Sequence, residues 1–104
     1  MKCSVTFVTC KNARQAERIA RALVTERLAA CVNIVPKVTS IYRWKGEVCR
    51  DTEAMLVIKS RAAKAKAIER RVKELHSYEL PEVIHVAIAG GSREYLRWVG
   101  EGTR

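Results

Sequence analysis

A chain of 104 residues carries one domain's worth of sequence, and 48% hydrophobic residues are enough to build a core without disulfide staples. No apolar stretch approaches the roughly 18 residues of a membrane span, and the opening Met1-Lys2-Cys3-Ser4 lacks an apolar secretory segment, so the chain reads as cytoplasmic. The net charge of +9, from 20 basic and 11 acidic side chains, would suit an anionic partner, but along two predicted helices the cations alternate with apolar and acidic positions, the pattern of solvated faces.

Cys3 to Cys10 alternates and carries Val5, Phe7 and Val8, which predicts a first strand. Asn12 can cap a helix, with Gln15 three residues on. Ala16, Ile19, Ala20, Leu23, Val24 and Leu28 then recur at three- and four-residue spacing, giving a helix over about 13–27. Two long apolar runs follow, Ala30 to Trp44 and Glu47 to Ser60, joined by a Lys45-Gly46 turn. Pro36 removes a ladder donor and belongs at an edge or a bulge, so the first run is either one strand or two short ones, 30–35 and 38–44, meeting at a bend. Ile68, Val72 and Leu75 mark a helix over about 62–76 in an Ala- and Lys-rich stretch. Pro81 cannot continue it, and Glu82 to Ala89 is a fourth strand. Gly90-Gly91 ends that strand, Ser92 caps, and Tyr95, Leu96 and Val99 form a short last helix.

The order βαββαβ defines an α+β fold, a single ferredoxin-like domain over residues 1–104 with a four-stranded antiparallel sheet, a long hairpin and an extra C-terminal helix. Fifteen extended residues span roughly 50 Å at about 3.3 Å each. A compact chain of this length is only about 35 Å across, so the hairpin should overshoot its own globule and leave unpaired edges for other chains. Val8 and Cys10 point to one side of the first strand, Val5 and Phe7 to the other. Both sheet faces are then apolar while helices cover only one, which again predicts self-association.

Chemistry is sparse. The four cysteines show no CxxC and no zinc-ligand spacing and read as free thiols. There is no nucleophile–base pair, no paired catalytic carboxylates and no phosphate-binding glycine loop, and Gly90-Gly91-Ser92 reads as a plain strand-to-helix turn; no enzymatic activity is predicted. An RNA-recognition sheet stacks bases on aromatics of its first and third strands. Here the third strand has none and the first only Phe7, which argues against nucleic acid. His85 reads as a structural strand residue, and Tyr42, Trp44 and Trp98 as packing at a subunit seam.

Five segments, LAACVNIVP (28–36), SIYRWKGEV (40–48), IKS (58–60), LHSYELPE (75–82) and SREYLRW (92–98), resemble the CutA family of divalent-cation tolerance proteins. The resemblance implies a ferredoxin-like homotrimer assembled through the long hairpins, with heavy-metal binding, copper above all, at a cysteine and histidine site. The family histidine falls on His76, preceded by Leu75 where some members have a second histidine and followed by Ser77 where proline is usual. The cysteine of the bacterial type falls on Val8. Cys10, two residues on and on the same strand face, is the substitute, so His76 and Cys10 are the candidate metal ligands, with Glu79 or a neighbouring chain to complete the set. As a cation, His76 would also complement the end of its helix. Copper is the expected ligand, and no cofactor is required for folding. Lys59, Tyr78 and Glu82, polar members of these motifs, could line a cleft between subunits. The alternative is a regulatory or scaffold trimer resembling the nitrogen-regulatory signalling proteins, which take small molecules in such clefts. A copper-chaperone domain would need a second cysteine beside Cys10, and there is none.

Overall fold

The computed structural model describes residues 2–104. Strand β1 (Cys3–Cys10) leads into helix α1 (Ala13–Thr25), and the chain then runs out along β2 (Cys31–Trp44) and back along β3 (Glu47–Arg61). Helix α2 (Ala65–Leu75), entered through a single tighter turn at Ala62–Lys64, precedes β4 (Val83–Ala87) and helix α3 (Arg93–Gly102). The sheet order is β2-β3-β1-β4 with every pair antiparallel, the ferredoxin-like arrangement expected.

Local chemistry explains the boundaries. The side chain of Asn12 accepts from the backbone N–H of Gln15 at 2.9 Å and starts α1. Gln15 in turn accepts from the N–H of Lys11 at 3.4 Å, one residue before the reciprocal position of a capping box. That helix stops at Thr25, two residues before the predicted end, because Arg27 takes a left-handed backbone (φ 60°). Ser92 caps α3 by accepting from the N–H of Tyr95 at 3.3 Å. The hairpin closes through Lys45 (φ 50°) and Gly46 (φ 83°), two consecutive left-handed residues whose twist matches that of the strands. Pro36 does not split β2. The register shifts between Val35 and Val38, so a bulge on an edge strand absorbs the missing donor and the strand runs on.

Helices α1 and α2 pack on one sheet face. Val8, Cys10, Ala54, Leu56 and Ile58 of the sheet meet Ala16, Ile19, Leu23, Ile68 and Val72, all fully buried. Strand alternation sends Val5, Phe7 and Val57 to the other face, where α3 covers one end. There the thiol of Cys3 donates to the Leu96 carbonyl at 3.8 Å, and the Arg61 guanidinium donates to the Gly100 carbonyl at 2.7 Å. Beyond α3 that face stays open, with Ile84 and Val86 exposed. The molecule measures 44 × 25 × 22 Å, its distal hairpin standing clear of the core as an arm.

Candidate functional site

A cleft of about 970 Å³ lies between the arm and the segment that joins α2 to β4. From the arm come Ser40, Tyr42, Trp44, Asp51 and Glu53, and from the connector Tyr78, Glu79 and Glu82. Strand periodicity sets the arm's contribution: residues two apart share a face, so Tyr42 and Trp44 align, as do Asp51 and Glu53. The connector, residues 76–82, is irregular and lines the cleft beside Thr9.

Tyr78 ties the two walls together. Its hydroxyl donates to Oε2 of Glu53 at 2.8 Å, and burial first, then this bond to a carboxylate, holds its pKa above the usual tyrosine range. Tyr42 donates to Asp51 in the same way, and that bond pushes its pKa up to about 12. Glu53 is only 7% exposed. No lysine, arginine or histidine among the described residues forms an ion pair with it.

The structure brings His76 and Cys10 to the same end of β1 but commits the donor atoms of both. His76 Nε2 donates to the Thr9 carbonyl at 2.7 Å, while Nδ1 accepts from the Tyr78 N–H at 3.1 Å. These two bonds fit a neutral ring protonated at Nε2 and leave no lone pair for a metal. The ring lies against Tyr78 (centroids 4.7 Å apart) and serves as a buckle between α2 and β1 rather than as a helix-end cation. Cys10 is fully buried on the helix face, its thiol directed at the Asn12 carbonyl at 3.5 Å. Burial chiefly raises its pKa, against the opposing bond to Asn12. Among the described residues no three His, Cys, Asp or Glu side chains converge as a metal site.

Of the other sequence candidates, Tyr42, Trp44, Tyr78 and Glu82 line the cleft. Lys59 and Trp98 lie elsewhere. Lys59 bonds Asn33 and sits 6.0 Å from the Tyr95 ring, and Trp98 packs on Tyr95 at 5.5 Å. His85 bridges sheet and helix, with Nδ1 2.8 Å from the Thr6 hydroxyl and Nε2 3.4 Å from Glu69. Sequence reasoning passed over Asp51 and Glu53. The available signal was an acidic pair on the same strand face as Met55 and Val57, where apolar residues were expected.

A family profile described as CutA1 divalent ion tolerance protein matches residues 4–102. The chain belongs to the CutA1 family. It is 50% identical over 99 residues to the divalent-cation tolerance protein CutA of Thermus thermophilus, covering 95% of this chain and 96% of the relative. The solved structure of a divalent cation tolerance protein (CutA1) from Thermus thermophilus superposes with a TM-score of 0.95 at 49% identity over 98% of this chain and 99% of the other. A Xenopus laevis CutA homolog is 49% identical over 94% of this chain, and a rice CutA 1 named as chloroplastic is 44% identical over 96%. The chain spans 65% and 56% of the length of those two relatives. As a CutA1 protein it shares its fold with the Thermus structure, and none of its described helices is long and apolar enough to cross a membrane.

Proposed function

We propose that this protein is a cytoplasmic homotrimer that acts in divalent-cation tolerance, copper chief among the cations, and does so by binding rather than by catalysis. The observation that carries this reading is the likeness, nearly end to end in both chains, to a Thermus protein named for divalent-cation tolerance. Trimer formation is supported by apolar surface that a lone protomer leaves in water: Ile41 at 70% exposure on the arm, Trp98 at 52% on α3, and Ile84 and Val86 beyond it.

The metal ligands in this proposal are His76 and Cys10, both engaged or buried in the folded chain. Copper reaches the imidazole only if His76 releases the Thr9 carbonyl or the Tyr78 N–H, and it reaches Cys10 only if the helix layer opens over the thiol. Binding is therefore modest and coupled to local opening. Calorimetric titration with Cu(II) tests it. Saturable binding that weakens in His76→Ala supports the assignment, and unchanged binding removes His76 from it.

A second reading, a regulatory trimer that takes a small molecule, is favoured by the cleft between arm and connector, apolar with a few polar groups. A thermal-shift panel of metabolites and metal ions separates the two, according to which class gives the larger stabilisation.

A further inference from the structure

We propose that His85 and Glu69 form a solvent-facing seat for a tetrahedral divalent ion, Zn²⁺ by its geometry, with water completing the shell. The inference rests on the divalent-cation reading of the protein but not on the ligands His76 and Cys10.

Availability is the first ground. His76 spends both ring nitrogens on backbone groups, and Cys10 is sealed beneath the helices. His85 differs. Its Nε2 faces one carboxylate oxygen, Oε1 of Glu69, and the two side chains are 27% and 41% exposed. An ion arriving from water reaches both without any part of the fold opening.

Separation is the second. Nε2 and Oε1 lie 3.4 Å apart, long for an N–H···O bond, whose usual range is about 2.7–3.2 Å. Zinc holds nitrogen at about 2.0–2.1 Å and carboxylate oxygen at about 2.0–2.2 Å, so two such ligands at a tetrahedral angle stand about 3.4 Å apart. The pair is spaced for that ion already. Ligands at right angles, as in square-planar Cu(II), would have to close to about 2.9 Å at the same bond lengths, which turns the seat toward zinc.

Support behind the two ligands is the third. A metal-binding imidazole is generally held by a hydrogen bond at its other ring nitrogen. Here Nδ1 lies 2.8 Å from the hydroxyl of Thr6, the residue opposite His85 in the β1–β4 register, and Thr6 is fully buried. With a metal on Nε2, the ring proton sits on Nδ1 and donates to that hydroxyl. Glu69 is held in turn. Buried Ile68 and Val72 fix the roll of α2, and the Lys73 ammonium bonds the other carboxylate oxygen, Oε2, at 3.1 Å. That ammonium also repels a cation, so removing it should tighten binding. Strand alternation sends Ile84 and Val86 to the opposite face, which keeps the seat clear of the apolar surface assigned to other copies.

The test is isothermal titration of the full chain, in its assembled state, with Zn²⁺ and with Mg²⁺ at neutral pH. The expected result is one zinc per protomer, bound about tenfold or more tighter than Mg²⁺, which does not favour imidazole. His85→Ala and Glu69→Gln should each weaken zinc binding about tenfold, at least the cost of losing an outer-shell partner. Lys73→Gln should tighten it up to about fivefold, the scale of an exposed charge pair. His76→Ala should leave it unchanged. Glu69 is a partly exposed helix residue, so its variant keeps the test decisive if His85→Ala misfolds. No saturable zinc binding up to millimolar concentration would overturn the proposal, and so would parent-like binding in both His85→Ala and Glu69→Gln. Zinc binding lost in His76→Ala but kept in those two variants would also overturn it, while leaving the divalent-cation reading and its His76 site standing.

Discussion

Tyr78 and Glu53 show how a site is made from two residues far apart in sequence. Neither side chain is informative alone, because what matters is the hydrogen bond between them and the burial that strengthens it. Tyr78→Phe leaves a nine-tenths-buried carboxylate without its donor, and chemical denaturation should show a loss of about 1–3 kcal/mol. The pH dependence has a definite sign. The folded-state pKa of Tyr78 lies above the ordinary value of 10.0, so the folded protein holds this proton more tightly than the unfolded chain does. The associated stability is complete below about pH 10 and is lost as pH rises toward the folded value, so denaturation at pH 9 and pH 11 should differ less in Tyr78→Phe than in the parent. Cys10 behaves likewise among the thiols. Burial that raises its pKa also shields it, so a thiol-titrating reagent should modify the half-buried Cys31 and Cys49 first and reach Cys10 and Cys3 only in denaturant. His76 and Cys10 were legible in the sequence as donor atoms near one strand end. That both ring nitrogens of His76 are already taken was not, since those bonds go to a backbone carbonyl 67 residues away and to a backbone N–H two residues on.

At the scale of elements the reading from sequence is nearly complete, because periodicity and caps are local. Alternation located β1, three- and four-residue spacing located α1 and α2, and Asn12 and Ser92 both cap as their positions suggest. The misses are local as well. The last strand was expected over Glu82 to Ala89 but pairs only from Val83 to Ala87, where β1 offers partners. Pro36 left one strand or two open, and the choice lay in pairing with β3, which accommodates a bulge. The Lys45-Gly46 turn offers a direct handle. Both residues need a left-handed backbone, which glycine tolerates and lysine does not favour. Gly46→Ala meets no neighbouring atom, so its cost is conformational, about 1 kcal/mol, whereas Lys45→Asn should stabilise by a few tenths of a kcal/mol. Thermal unfolding of the two variants should shift in opposite directions.

Across the whole molecule the dominant feature is disproportion between arm and body. Strands of 14 and 15 residues extend a domain whose radius of gyration is 14.0 Å, against about 13 Å for a compact chain of this length. The far half of β2 and β3 lies in water, Ile41 and Val48 included, and the second sheet face is covered at one end only. In the proposed trimer, apolar surface of this extent would be covered by other copies, and β2, an edge strand, would offer its free backbone groups to them. Chain length and strand length together made the long hairpin legible in the sequence; how copies of the chain would fit was not, because that depends on surfaces of more than one chain. Ile41→Lys places a charge on the arm's apolar tip and should weaken association without unfolding the protomer, seen as a concentration-dependent fall in mass at unchanged helical circular dichroism. The most direct measurement is light scattering during gel filtration of the unaltered chain. Three copies of an 11.7 kDa protein should elute at about 35 kDa without concentration dependence in the micromolar range, and a well-folded species near 12 kDa in dilute solution would contradict the account.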